Sequence, residues 1–260
     1  MGWQQSTFNW GGFSTLLAKE VRRFTRVATQ TVVTPMITTL LYLLVFVQVL
    51  EGRYSPAPGY SYAQFLVPGL MMMAVIQNAF ANSSSSLLQA KMNGSVTFML
   101  IAPLSALEML LAFVLAAIVR GVAVGLGLWA IAGLVVGWQV LNPLWALSFL
   151  LTTGAALGLL GLIAAIIAEK FDHMSAFQNF VILPLTFLSG VFWSIQSLPL
   201  HWQTVSAFNP LLYMIDGFRY GIMGVSDFAA ATSLAFSLGF VVVLAGIAWW
   251  MLDKGWRLRG

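Results

Sequence analysis

The stretch NPLLYMIDGFRYGIMG, Asn209 to Gly224, sets an acid and a base, Asp216 and Arg219, among residues that otherwise suit lipid, and it lies between two strongly apolar runs. Whether that pair stands in a span, in water or somewhere between decides how the chain is folded. The surroundings point to a polytopic membrane protein. Of 260 residues 60% are hydrophobic and 8% charged, with a mean hydropathy of +0.89, whereas an ordinary soluble domain is about 25% charged. The chain has no cysteine, which excludes disulfides and thiolate metal sites. His173 and His201 stand far apart, which argues against a histidine metal cluster. The net charge of +4 is distributed among the apolar runs, a pattern that reports membrane topology and not a nucleic-acid surface. The start, MGWQQSTFNWGG, lacks the basic, apolar and small-residue order of a cleaved signal. Insertion is therefore expected to rely on the first span.

A helix needs about 20 apolar residues to cross the hydrocarbon core. That ruler gives six expected spans, at about 31–50, 63–87, 106–137, 142–168, 176–195 and 231–252. Positive residues are retained on the cytoplasmic side. Lys19, Arg22, Arg23, Arg26, Lys91, Lys170, Lys254, Arg257 and Arg259 fall on one side, Arg53 and Arg219 on the other, and Arg120 within a span. Both termini are therefore expected in the cytoplasm, and Asn209–Gly224 outside. The fold class is an all-α integral membrane protein. A cytoplasmic amphipathic helix (1–30) precedes one six-span domain (31–252), and a cytoplasmic tail (253–260) follows.

Before the first span, Phe13, Leu17, Val21 and Phe24 recur at helical spacing, with Lys19, Arg22, Arg23 and Arg26 in other directions. Two readings stay open: a basic topology anchor, or an interfacial helix with a mechanical role whose charges meet anionic lipid. Between spans two and three lies NSSSSLLQAKMNGSVTFMLIAPLSALE, read as a polar cytoplasmic segment with one apolar patch, Val96 to Ala102. Ser105 and Glu108 have capping-box spacing and start span three near Ala106. Gly121 with Gly125, and Gly154 with Gly158, are spaced for close helix packing in lipid. The run Met71–Met73 reads as adaptable packing, since thioethers alone hold few ions. In the quoted stretch, Asn209 and Pro210 make a helix start, and Asp216 and Arg219 then share one face. Pro184 predicts a bend in span five.

No lysine follows a glycine, the pairs being Ala18-Lys19, Ala90-Lys91, Glu169-Lys170 and Asp253-Lys254. The chain thus carries no P-loop. HExxH, GxSxG and DxxD are absent, and the eight carboxylates are scattered, which disfavours metal or nucleophilic catalysis. No repeat relates residues 1–137 to 138–260, and acids are scarce at the midplane, which disfavours an ion-coupled carrier. Arg120, deep in a span, is a functional candidate whose partner the sequence does not name.

Four features coincide: the amphipathic N-terminal helix, the polar segment ending in LIAPLSALEML, the run LPLTFLSGVFWSIQSLP, and FNPLLYMIDGFRYGIMG. Together they resemble the membrane subunits of ABC-type-2 export permeases, in the small bacterial branch of YadH-like and nodulation-factor exporters. The resemblance covers nearly the whole chain. It implies a half-transporter in the bacterial inner membrane that pairs with a second copy of itself and docks two separate ATP-binding cassette subunits. The docking segment would span about 88–105, with Gln89, Lys91, Met92, Asn93 and Gly94 in or beside a coupling helix. Glu108 and the N-terminal helix would form the adjoining contact surface. ATP and Mg would belong to the partner, leaving this chain without a cofactor and not itself an enzyme. It also implies that about 196–230 dips back into the membrane as re-entrant helices closing the outer end. Asn209, Pro210, Asp216 and Arg219 would form that gate and hold it structurally, without binding cargo. The rival reading is a membrane scaffold or assembly factor whose polar segment only holds a partner.

Overall fold

The computed structural model describes residues 8–50, 52, 59–137 and 139–258. Arg53, Arg259 and the first seven residues of the expected N-terminal segment lie outside them. Eleven α-helices follow one another among the described residues: α1 (Trp10–Thr25), α2 (Ala28–Leu50), α3 (Tyr62–Met92), α4 (Val96–Ile101), α5 (Ala106–Val136), α6 (Pro143–Ile167), α7 (Phe171–Phe177), α8 (Leu183–Phe187), α9 (Leu200–Ala207), α10 (Pro210–Met223) and α11 (Ala230–Lys254). Five of these, α2, α3, α5, α6 and α11, are long and apolar enough to cross a membrane. Each matches an expected span to within a few residues except α3, which runs on to Met92.

That extension corrects the reading of NSSSS. Asn82, Ser83, Ser84 and Ser86 are not the start of a polar surface segment; they are buried in the last third of α3. Only at Gln89 does the chain turn outward. The signal misled because hydropathy scores serine as polar, whereas small hydroxyl residues let helices approach closely and can bond across them.

The centre of the bundle is α3 packed between α5 and α6, while α2 and α11 are peripheral and largely uncovered. Small residues set these contacts. A Cβ at Gly154 would meet Ile118 Cα at 3.1 Å, and one at Gly158 would meet Ala117 Cβ at 2.6 Å. One at Gly161 would fall onto the Phe80 carbonyl of α3. Gly121 and Gly125 face Val75 in the same way. Such approach gives the dispersion contact that stands in for the hydrophobic effect in lipid.

The expected fifth span at 176–195 is not one helix. The helical run begins earlier, at Phe171, widens into a π-turn over Gln178–Ile182, and ends at Phe187. Pro184 gives the reason: it has no N–H for the carbonyl four residues back and crowds that turn, so the preceding residues open to a wider pitch. From Leu188 the chain leaves helix for a left-handed glycine, Gly190 (φ 75°), and a short 3₁₀ turn at Ile195–Ser197. The run matters topologically. α6 ends beside the end of α3, where Lys91 meets it, while α11 begins beside Phe228, at the opposite end. Phe171–Phe187, about 25 Å long at 1.5 Å per residue, lies in the chain between these two ends, and α9 and α10 follow it.

Candidate functional site

The end of the bundle that carries α1 is organised by two buried carboxylates. Glu108, 2% exposed, joins two helix caps. Its Oε2 accepts from Ser105 N at 2.7 Å while Ser105 Oγ accepts from Glu108 N, completing the capping box of α5. Its Oε1 accepts from the backbone N of Asn9 at 2.6 Å. Asn9 is the N-cap of α1, accepting from Gly12 N and donating through Nδ2 to Pro103 O at 2.9 Å. Glu108 is thus turned inward, fastening the start of α1 to the start of α5.

Glu20 does the same at the other end of α1. It is fully buried, accepts from Ser86 Oγ at 2.8 Å, and pairs with Lys19 at 3.0 Å and Arg23 at 3.4 Å. Arg23 continues onto α3, donating to Asn82 O at 2.6 Å and Ser85 Oγ at 3.0 Å. The buried stripe of α1 is Phe13, Leu16, Glu20 and Phe24, a small rotation from the expected Phe13, Leu17, Val21 and Phe24. A stripe assembled from apolar residues alone passes over Glu20, yet Glu20 is the one acid of a basic helix. That isolation was the available signal. Both stems of the α3–α4–α5 connection are therefore strapped to one helix, and α1 leads directly into α2 through Arg26 and Val27.

Between those stems the chain presents a tip. Gln89, Asn93 and Gly94 are exposed, as are Met92 (54%), Phe98 (77%) and Ile101 (67%). Val96, by contrast, is buried, so α4 turns its first residue inward and shows Phe98 and Ile101 outward. Gly94 sits at φ 71°, a left-handed turn that suits glycine. Lys91 does not face outward with them. Its Nζ donates to Ala165 O, Ile166 O and Ala168 O at 3.1, 2.7 and 2.8 Å, and Arg257 donates to Ile167 O at 3.2 Å. The last carbonyls of α6, which lack helical partners, are thus taken by two cations that also suit the negative end of its dipole. Substituting Lys91→Met should destabilise the protein by about 1–3 kcal/mol, read as a lower thermal midpoint in detergent, with Lys91→Arg recovering most of the loss.

At the opposite end, Asp216 and Arg219 of α10 are 0% and 2% exposed. Their closest ion-pair distance is 3.8 Å, and each makes shorter contacts elsewhere. The Asp216 carboxylate accepts from the backbone N of Asp227 at 2.7 Å and of Phe228 at 3.0 Å, pinning the segment before α11. Arg219 Nη2 donates to Gly190 O at 2.6 Å, and its guanidinium lies 3.9 Å from the Phe65 ring centre. Asp227 extends the clasp, accepting from Ser194 Oγ at 2.6 Å and Ile195 N at 2.9 Å. Asn209 caps α10 through Leu211 N and donates to Leu185 O at 2.6 Å, with Pro210 in the first turn. Asp227 was not singled out in the sequence, since its role depends on a turn 33 residues away.

The quoted stretch held one more signal. A Cβ at Gly217 would overlap the Phe149 ring, and one at Gly221 the backbone of Ala146. These glycines, four apart, seat α10 against the start of α6. Gly217→Ala should cost about 1–3 kcal/mol through overpacking, seen as a lower thermal midpoint, whereas alanine at Gly239, whose Cβ would meet nothing within 4 Å, should leave it unchanged. In the interior, Arg120 finds Asn78 on α3, donating to Oδ1 through Nη2 at 2.9 Å and Nε at 3.3 Å.

The chain shows similarity to known proteins across this whole arrangement. A family model described as ABC-2 type transporter matches residues 12–223, from the start of α1 to the end of α10. Over 250 residues the chain is 38% identical to the inner membrane transport permease YadH of Escherichia coli (strain K12), covering 96% of this chain and 98% of that protein. Over 178 residues it is 29% identical to nodulation protein J of Rhizobium leguminosarum bv. trifolii, covering 68% of this chain and 66% of that protein. A family match that takes in the strapped tip, the broken helix and α10, with a relative similar over nearly its full length, shows that the chain belongs to the ABC-2 type transporter family.

Proposed function

We propose that this chain is the membrane subunit of an ATP-driven exporter in the bacterial inner membrane, working as a homodimer with two separate ATP-binding subunits. The observation that carries this reading is the exposed apolar tip of Met92, Phe98 and Ile101, mounted on two spans strapped together by α1. A patch of that kind beside polar residues suits a protein partner, and a pump without a phosphate-binding loop needs a motor from elsewhere. In this reading the tip and α1 face the cytoplasm, the partner holds ATP and Mg, and the chain is not itself an enzyme. Phe171–Phe187 acts as the sixth span of a domain covering 31–252, while α9 and α10 form the re-entrant outer closure. Irregular backbone at membrane depth is tolerated where protein covers it, and the Asp216–Arg219–Asp227 network supplies internal partners for its polar groups. The cargo is an amphipathic or hydrophobic molecule, since the groups lining the bundle are mainly apolar and aromatic.

The reading is tested by reconstituting the protein in liposomes with the ATP-binding subunit that co-purifies with it from its host, then measuring ATP hydrolysis with and without candidate amphiphiles. An exporter raises the turnover of its partner and responds to cargo. A complex that forms but leaves hydrolysis unchanged under every amphiphile would favour the scaffold.

A further inference from the structure

Arg120 stands near the middle of α5, and its protein partner is a neutral amide. Nε and Nη2 both donate to Asn78 Oδ1, and Asn78 Nδ2 is committed to Ala74 O at 3.0 Å. No carboxylate lies within 4.0 Å of the guanidinium among the described residues. Among the described residues Nη1 has no protein acceptor, and it is not among the side-chain atoms sealed inside the bundle. One turn along α3 toward α1, about 6 Å away by helical rise, Asn82 receives Arg23, which acts on Arg120 as a nearby like charge. Arg23 has its own counter-ion in Glu20, whereas Arg120 has only the Asn78 amide. The Arg120 charge is therefore left without a protein counter-ion among the described residues.

A cation within a span costs several kcal/mol unless it is paired or reaches the interface. The depth matters here. The apolar stripe of α1 settles such a helix about 5–10 Å into the boundary between headgroups and acyl chains, and Arg120 lies roughly one turn below Arg23. A cation at that depth draws water and headgroups inward through local thinning of the bilayer, which brings a lipid phosphate within reach of the free Nη1. Guanidinium forks match phosphate oxygens in geometry and in charge.

We propose that Arg120, with Arg23 beside it, forms a binding site for the phosphate of an anionic lipid in the leaflet that α1 occupies, beneath the elbow between α1 and α2. The site goes beyond the exporter reading and does not depend on it. Its occupant neutralises Arg120 and places an acyl chain against α2, the least covered span.

The test compares wild type with Arg120→Gln, Arg120→Lys and the double variant Arg22→Gln/Arg26→Gln in nanodiscs. One set holds phosphatidylcholine alone and another phosphatidylcholine with phosphatidylglycerol. Thermal midpoints and the lipid retained on release into the mass spectrometer are measured. Phosphatidylglycerol should raise the wild-type midpoint and remain bound. Arg120→Gln, whose amide still reaches Asn78 and so protects the fold, should abolish the rise and weaken retention at least about tenfold. Arg120→Lys should keep most of both. Removing the exposed charges Arg22 and Arg26 should leave the retained lipid in place; its loss there would show a surface effect and overturn the site. Retention in Arg120→Gln equal to wild type would also overturn it. Inorganic phosphate added to phosphatidylcholine discs should give no shift, and a shift equal to that of phosphatidylglycerol would overturn the assignment to lipid.

Discussion

Asp216→Asn is expected to lower the thermal midpoint of the purified protein by roughly 10 °C, the equivalent of about 3–5 kcal/mol in a chain of this size. The asparagine oxygen can keep one of the two backbone donors that Asp216 now satisfies, from Asp227 and Phe228. Its amide group then faces the other donor, and Arg219 is left in the interior without its nearest negative charge. Breaking a buried pair from one side is costly because the remaining charge stays desolvated. The exchange Asp216→Arg with Arg219→Asp should fail to recover the loss, even though it restores opposite signs. An arginine at 216 would meet two N–H donors, and an aspartate at 219 would meet the Gly190 carbonyl and the face of Phe65. Recovery to within about 2 °C of wild type would mean that the pair itself, and not its backbone contacts, holds the clasp.

Phe98→Asp combined with Ile101→Asp should weaken binding of the ATP-binding subunit at least about a hundredfold, and stimulation of ATP hydrolysis should vanish with it. Buried apolar anchors at interface centres are worth about 2 kcal/mol or more each, and two introduced carboxylates add a desolvation cost. Because both side chains are mostly exposed in the isolated chain, the fold should be spared and the thermal midpoint unchanged. That contrast makes these residues better probes than Lys91, whose loss would uncap α6 and confuse folding with docking. Undiminished stimulation in the double variant would place the docking surface elsewhere. The strap predicts a second-order effect in the same assay: Glu20→Gln should leave partner binding in place and reduce stimulated hydrolysis, since α1 would be loosened from α3 while the tip stays intact.

The sequence was legible wherever a structural signal is local. Ser105 and Glu108 were readable as a capping box, and Asn209 with Pro210 as a helix start, because each cap closes within a few residues. Pro184 announced a disturbed helix because its missing N–H and its ring act on the turn just before it. Long apolar runs marked five spans because hydrocarbon thickness fixes the length a helix needs. The same reasoning misplaced Asn82–Ser86, since hydropathy does not distinguish a serine facing water from one packed beneath α1.

What the sequence by itself determined about this protein is its class, the positions of its long helices, the lack of a P-loop, and the residues worth watching. Only the tertiary structure decided what those residues do. Glu108 reaches Asn9 across 99 positions, Lys91 the end of α6 across 74 to 77, Arg120 its amide across 42, and Arg219 the Gly190 carbonyl across 29. The physical reason is that a charge or amide in a low-dielectric bundle must find a partner, but which partner depends on which helix faces meet. In lipid that choice rests on close approach at small residues such as Gly158, Gly161, Gly217 and Gly221. The need for a partner can therefore be read one residue at a time, while the partner's identity exists only once the helices are packed.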